Sequence, residues 1–350
     1  MCYLISGINV LKIAIHSDLH LEFRRFVPDI TDADVVILAG DISNNIQDIE
    51  WLYNKLQQQA SIPVLFIPGN HEYYHNDFDE MNLFFKDLDA KYQNFHFMNN
   101  RVLPIGEYDF IGSTLWTDFT LGKPVSEAEA IAANAIADFK VICYKNKPFS
   151  TQDCSQLFRE SVKELDDLLH YGSDRQKIVF THFAIDEKCS AEQHRGSELT
   201  AYFTANVKYL IEKYEPKVWI YGHTHHNERN KPQTFKIGRT TILSNQKGYP
   251  NESIENYQSD YIYELRNSDE ALKYSQKTLA GSITFHDIDF KNHPDNGSKG
   301  YWQVIGIRHQ ALVQTDHAEK AVELAKDIVH EWELTDVTYI GKALPDVFPC

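Results

Sequence analysis

Asp18 and His20, Asp41, Asn70 and His71, His182, and His223 and His225 are the residues of this chain best suited to chemistry. Each group stands at the end of an apolar run. Asp-x-His and His-x-His send two side chains of one pleat face toward one point. Carboxylates, imidazoles and one amide, with no thiolate among them, form a donor set for Mn, Fe, Zn or a similar divalent ion. Each group alone reads as an ordinary polar loop, and Asp41 alone also reads as the N-cap of a following helix. Five such strand ends in one chain are a different matter. Eight polar residues converging on one sheet edge are costly to pack unless water or cations lie between them. His16 lies deeper in its strand and reads as a packed histidine, and His226 has the opposite parity to its neighbours.

The elements that must position these residues are five strands, Leu11–Ile15, Val35–Ala39, Ile62–Ile67, Lys177–Thr181 and Lys217–Tyr221. Near-continuous apolar runs of this kind are buried parallel strands. Open α/β sheets bind ligands outside the carboxyl ends of such strands. Pro68-Gly69 and Gly40 turn the backbone at two of those ends. Helical spacing covers about 46–59 and 78–91. Phe95–Met98 and Tyr108–Ser113 read as strands of a second sheet. A helical excursion over about 120–172 suits the lining of a substrate entrance, and its Asp138, Asp166 and Asp167 read as solvated helix faces. Thr240–Ser244 and Asn245–Tyr249 read as a closing strand and turn. The pattern changes after Pro250. The expected organisation is one domain over 1–252 and a small α+β domain over 253–350. The second has strands at 261–265, 283–290, 302–309 and 337–343 and helices at 268–279 and 317–332, a ferredoxin-like β-α-β-β-α-β order.

The chain has 350 residues, 43% of them hydrophobic and 24% charged, enough for a large core and a smaller one. A formal net charge of -16 argues against general binding of nucleic-acid backbone or anionic membrane. The five cysteines are scattered and form no CxxC, as in a reduced cytoplasmic protein. Residues 1–10 lack a basic n-region and a long apolar core, so no signal peptide is expected. No apolar run approaches the ~20 residues of a membrane span.

Asp18-x-His20, Gly40-Asp41, Gly69-Asn70-His71-Glu72, His182 and Gly222-His223-x-His225 resemble, in order, the five motifs of the calcineurin-like metallophosphoesterases. The resemblance covers about residues 11–250 and leaves the C-terminal segment outside. It implies a four-layer α/β/β/α sandwich of two mixed sheets. It also implies two divalent ions, one held by Asp18, His20, Asp41 and His225 and the other by Asp41, Asn70, His182 and His223. Hydroxide made available by the ions would attack a phosphoester. His71, oriented by Asp18 or Glu72, would protonate the leaving group. Within the superfamily, Leu115–Phe119 and Asn245–Tyr249 resemble a bacterial cytoplasmic branch, although Phe183 stands where that branch has a second histidine and Gln246-Lys247 where it has Pro-Arg.

The residues flanking the motifs, Leu19, Ile42, Glu72, Phe183 and Thr224, include no Arg or Lys, while Arg24, Arg25, Arg195, Arg229 and Arg239 lie farther along their loops. The expected substrate is therefore a small phosphodiester, such as a cyclic nucleotide or dinucleotide. A phosphomonoester, a nuclease of the same fold and a non-catalytic scaffold are the alternatives. The C-terminal domain is expected to be separable or to form a homo-oligomer.

Overall fold

Alternation along each strand sets the layers. In the computed structural model, residues 10–266 are described apart from 172, 174, 228–233, 253 and 255; beyond them only the backbones of four strands are described. Strands β1 (Val10–His16), β2 (Val35–Ala39), β3 (Val64–Ile67) and β4 (Phe95–Phe97) run parallel in one sheet. Their odd-numbered residues Ile13, Ile15, Val35, Ile37, Leu65 and Ile67 enter one core cluster. Their even-numbered residues Ala14, Val36, Leu38, Val64 and Phe66 enter another, together with the apolar faces of α1 (Ile46–Gln59) and α2 (Phe78–Lys91).

A second sheet contains β5 (Arg101–Ile105) and β6 (Tyr108–Ser113). The chain then makes its excursion through α3 (Val125–Ala135), α4 (Asp138–Val141), a small hairpin of β7 (Cys143–Tyr144) and β8 (Lys147–Pro148), and α5 (Thr151–Tyr171). It returns to the second sheet as β9 (Gln176–Thr181). After α6 (Thr200–Phe203) and α7 (Lys208–Tyr214) come β10 (Val218–Ile220), β11 (Thr234–Ile237) and β12 (Thr240–Leu243). The order is β11-β12-β10-β9-β6-β5, with β11 and β5 antiparallel at the edges. Ile178, Phe180, Val218, Ile220 and Leu243 meet the inner face of the first sheet, so one apolar layer lies between two sheets and helices cover the outside. This is the four-layer α/β/β/α arrangement of two mixed sheets.

Two expectations change, and one strand is added. Phe95–Phe97 pairs with β3 and closes the first sheet, not the second. It follows α2, and a strand–helix–strand crossover returns beside its own starting strand. Arg101–Ile105 is a strand that its exposed Arg101 and Val102 and its internal proline conceal. The strand expected to open the second domain is β13 (Ile262–Arg266), which pairs antiparallel with β1 at the edge of the first sheet. The chain accordingly divides into compact units at 266/267. The second unit therefore does not include that strand. Its described strands β14 (Phe290–Lys291), β15 (Gly300–Gly306), β16 (Gln310–Thr315) and β17 (Leu334–Gly341) lie in the order β14-β17-β15-β16, with β14 parallel to β17. The helices expected at 268–279 and 317–332 lie outside the described residues.

The placement of β13 gives a stability prediction. Tyr261 and Leu265 are buried in the layer between the sheets. A chain ending at Asn251 is expected to expose the edge of β1 and leave those two sites empty. Emptying one large apolar site costs ~2–5 kcal/mol, and a bare edge strand invites aggregation. A chain ending at Arg266 is expected to melt cooperatively at a clearly higher temperature. Thermal unfolding of the two truncations compares them directly.

Candidate metal centre

The carboxyl ends of β1, β2, β3, β9 and β10 meet at one edge of the two sheets, and the loops that leave them carry the donor residues. Asp18, His20, Asp41, His223 and His225 have φ of 54°, 47°, 53°, 71° and 47°. Left-handed backbone is uncommon for residues other than glycine and costs ~1–3 kcal/mol at each position. That five of the donor-bearing residues share it shows how tightly these loops turn their side chains inward. Gly40 and Gly69 leave room for the turn: a Cβ at Gly69 would stand 2.6 Å from His182 Nε2, and one at Gly40 would stand 2.7 Å from the Gly69 nitrogen.

The side chains form two groups that share Asp41. Asp18, His20, Asp41 and His225 bring one donor atom each within 4.8 Å of one another, and so do Asp41, His182 and His223. His225 Nε2 is 3.5 Å from Asp18 Oδ1 and 3.0 Å from His20 Nε2. His182 Nε2 is 3.4 Å from Asp41 Oδ1 and 3.2 Å from Asn70 Oδ1. The outer nitrogens are held from behind. His182 Nδ1 donates to the Ala39 carbonyl at 2.9 Å, and His225 Nδ1 pairs with Glu252 at 2.6 Å. Each ring therefore aims Nε2 at the centre, as metal-binding histidines do. His16 lies outside both groups, buried beside Asn245 and Tyr257, and burial lowers its pKa to about 3. His226 also belongs to neither group.

Electrostatics agree with the geometry. Burial pulls His182 down, but the charges of Asp41 and Asp18 and a hydrogen bond to Asp41 raise it to about 9. Burial also lowers His225, and Asp18 and Glu252 outweigh it and raise the group to about 10. His223 falls well below the ordinary range because it is buried and faces His182. Its Nε2 is a buried nitrogen with no hydrogen-bond partner. Buried polar atoms are rarely left so. An orphaned imidazole nitrogen beside a carboxylate and a second imidazole fits a divalent cation, and so does the oxygen-and-nitrogen donor set as a whole.

Two carboxylates at the site, Glu22 and Asp138, were not legible from the motifs. Glu22 Oε1 lies 3.2 Å from both His20 Nδ1 and His71 Nδ1, so one carboxylate aims two rings. Burial raises its pKa, but hydrogen bonds from both rings outweigh that and hold it at about 2. Glu72, expected near His71, instead accepts from the backbone nitrogens of Gly69, Asp41, Ile42 and Ser43 and ties the β2 and β3 loops together. Asp18 does not orient His71 either; both its oxygens accept from the His223 nitrogen. Asp138, expected on a solvated face, is fully buried against Asn70. Asp166 and Asp167 are surface residues paired with Lys213 and Lys163, as expected.

The centre floors a cleft of about 540 Å3 whose walls include Ile136, Leu199, Phe203 and Tyr249, with Ala135 and Ala137 from the excursion. His71 Nε2 faces the Tyr249 hydroxyl at 2.9 Å, and its ring stacks on Tyr74.

The family model for calcineurin-like phosphoesterases matches residues 11–227, well over half of the chain. The chain belongs to that family. This phosphoesterase is a metal-dependent hydrolase of phosphoric esters. It is 26% identical over 261 residues to the uncharacterised protein L509 of Acanthamoeba polyphaga mimivirus, a match spanning 67% of this chain and 90% of the relative. Its fold resembles that of the phosphopantetheinyl hydrolase PptH from Mycobacterium tuberculosis, with a TM-score of 0.57 and 17% identity over 75% of this chain and 98% of that one. A dimetal phosphatase from Danio rerio aligns with a TM-score of 0.43 and 12% identity, over 68% of this chain and 87% of that one. Among the described residues of the phosphoesterase, no helix is long and apolar enough to cross a membrane.

Proposed function

We propose that this phosphoesterase hydrolyses a small phosphodiester at a two-ion centre. One divalent ion would be held by Asp18, His20, Asp41 and His225, the other by Asp41, Asn70, His182 and His223, with Asp41 common to both. The observation that carries the reading is the pair of donor groups sharing Asp41 at the floor of a cleft with no Arg or Lys among its described lining residues. When bound, such ions lower the pKa of coordinated water toward neutrality and offset charge on the phosphoryl oxygens.

The chain's own residues supply the rest. His71 stands beside the centre, its Nε2 4.0 Å from Asp41 Oδ2, and protonates the departing alkoxide. Burial lowers its pKa, but Asp41, Glu22 and Asp138 together raise it, which favours the imidazolium that can donate. Glu22 accepts from Nδ1, so Nε2, which meets the Tyr249 hydroxyl at 2.9 Å, is the nitrogen on the cleft side that serves the substrate. Tyr74 fixes the ring plane.

The diester preference follows from charge. A monoester carries roughly one more negative charge near neutral pH, since its second pKa is about 6, and sites for such dianions commonly add Arg forks. Here Arg25 pairs with Asp48 and Arg195 with the carbonyls of Ser190 and Lys188, while Arg239 lies 3.9 Å from Glu215. Arg229 lies outside the described residues. The net charge of -16 disfavours a nucleic-acid polymer. The expected result is a higher kcat/KM for bis-p-nitrophenyl phosphate than for p-nitrophenyl phosphate with the same metal and pH. A monoester advantage of about tenfold, ~1.4 kcal/mol in barrier, would overturn the preference. A panel of cyclic nucleotides, dinucleotides and simple monoesters then narrows the substrate.

A further inference from the structure

Asp138 opens a four-residue helix inside the excursion, far in sequence from every motif, yet it is 0% exposed. Its Oδ1 accepts from Asn70 Nδ2 at 3.0 Å and from the Tyr74 hydroxyl at 2.8 Å. Its Oδ2 accepts from the Tyr202 hydroxyl at 2.5 Å. Burying a carboxylate is expensive, and an apolar side chain would anchor a short helix more cheaply. The three donors gathered around it keep it satisfied, and one of them is the amide of a residue in the metal centre.

An amide has two unlike ends. The oxygen has lone pairs to offer a cation, and the NH2 has only hydrogens. A carboxylate accepts and does not donate, so Asn70 must turn its NH2 toward Asp138. That leaves Oδ1 facing His182 Nε2 at 3.2 Å, on the side of the Asp41–His182–His223 group. A hydrogen bond to an anion also polarises the amide and strengthens its oxygen as a donor. We propose that Asp138 is a positioning residue of the metal centre, lent by the excursion to orient and polarise the Asn70 amide toward the second ion. The proposal rests on the two-ion reading above. It also gives the excursion a role at the chemistry and not only at the cleft wall.

The test is titration of Mn2+ into chelator-stripped full-length protein by calorimetry. Wild-type protein is expected to take up two ions per chain. Asp138→Asn, of the same shape but without the charge, is expected to weaken one of the two steps by ~10–100-fold, the usual effect of losing an outer partner of a metal ligand, and to leave the other step unchanged. Tyr202→Phe removes a donor from the far side of Asp138 and is expected to keep both affinities. The swap Asn70→Asp/Asp138→Asn puts the carboxylate next to the ion, where it needs no orienting, and is expected to recover the lost step. A role confined to anchoring the helix would lower the melting temperature in Asp138→Asn and Tyr202→Phe alike, with both ions bound as in wild type. Unchanged two-step binding in Asp138→Asn overturns the positioning role, as does a swap that binds no better than Asp138→Asn. If Asp138→Asn does not fold, the swap, which keeps one carboxylate and one amide, decides by whether it binds two ions. Wild-type protein that binds fewer than two ions overturns the two-ion reading itself.

Discussion

Asp41→Asn is expected to purify with both ions depleted and with kcat/KM lower by about a thousandfold or more. Asp41 is the residue common to both donor groups, with Oδ1 3.4 Å from His182 Nε2 and Oδ2 3.9 Å from His20 Nε2. An amide keeps the shape but loses the negative charge and one of the two acceptor oxygens. Divalent ions supply several kcal/mol of charge stabilisation to phosphoryl transfer, and ~4 kcal/mol is about a thousandfold in rate. Replacement of a residue that belongs to one of those donor groups only, such as His225→Ala, is expected to deplete one ion and spare the other. Metal analysis of the two purified variants separates the cases. Two full equivalents of metal in Asp41→Asn would contradict the shared role. Asp41 Oδ1 also accepts from the His71 nitrogen at 2.9 Å, so circular dichroism of the metal-free variant should accompany the analysis.

His71→Ala is expected to keep its metal and lose kcat by ~10²–10⁴ for an alkoxide leaving group. The loss should shrink toward nothing for nitrophenolate, which departs without a proton. This dependence on the leaving group distinguishes a general acid from a residue that only shapes the cleft. Glu22→Gln is expected to follow the same pattern more weakly, because it acts on His71 through Nδ1. It also touches His20, so its metal content is the control that keeps the two effects apart. An equal loss of His71→Ala activity on both leaving groups would remove the acid role.

The candidate donor residues were readable from the sequence for a local reason. Each lies within a few residues of the end of a buried parallel strand, on a loop whose tight turn aims the side chain inward. The β-branched and aromatic runs at Val35–Ala39 and Val64–Ile67 are strands wherever they sit, and parallel strands joined by helices bring their carboxyl ends to one edge. Family membership and the sandwich follow from the same short motifs.

The residues that hold the centre in shape were not readable in that way. Asp138 stands on a helical segment with the spacing of a solvated face, and it is buried only because Tyr202, 64 residues later, and Asn70, 68 residues earlier, pack around it. Glu22 looks like any loop acid until His71, 49 residues on, turns its Nδ1 toward it. Tyr249 and Glu252 come from the loop that follows β12, and Phe95 and Ile262 sit in the first sheet by virtue of pairing partners far along the chain. Strand ends, loop glycines and donor types are local properties, so the sequence alone determined which residues are candidates for the chemistry. Which carboxylates are desolvated, and which imidazole nitrogen faces inward, depends on contacts between distant segments, and only the tertiary structure decided it.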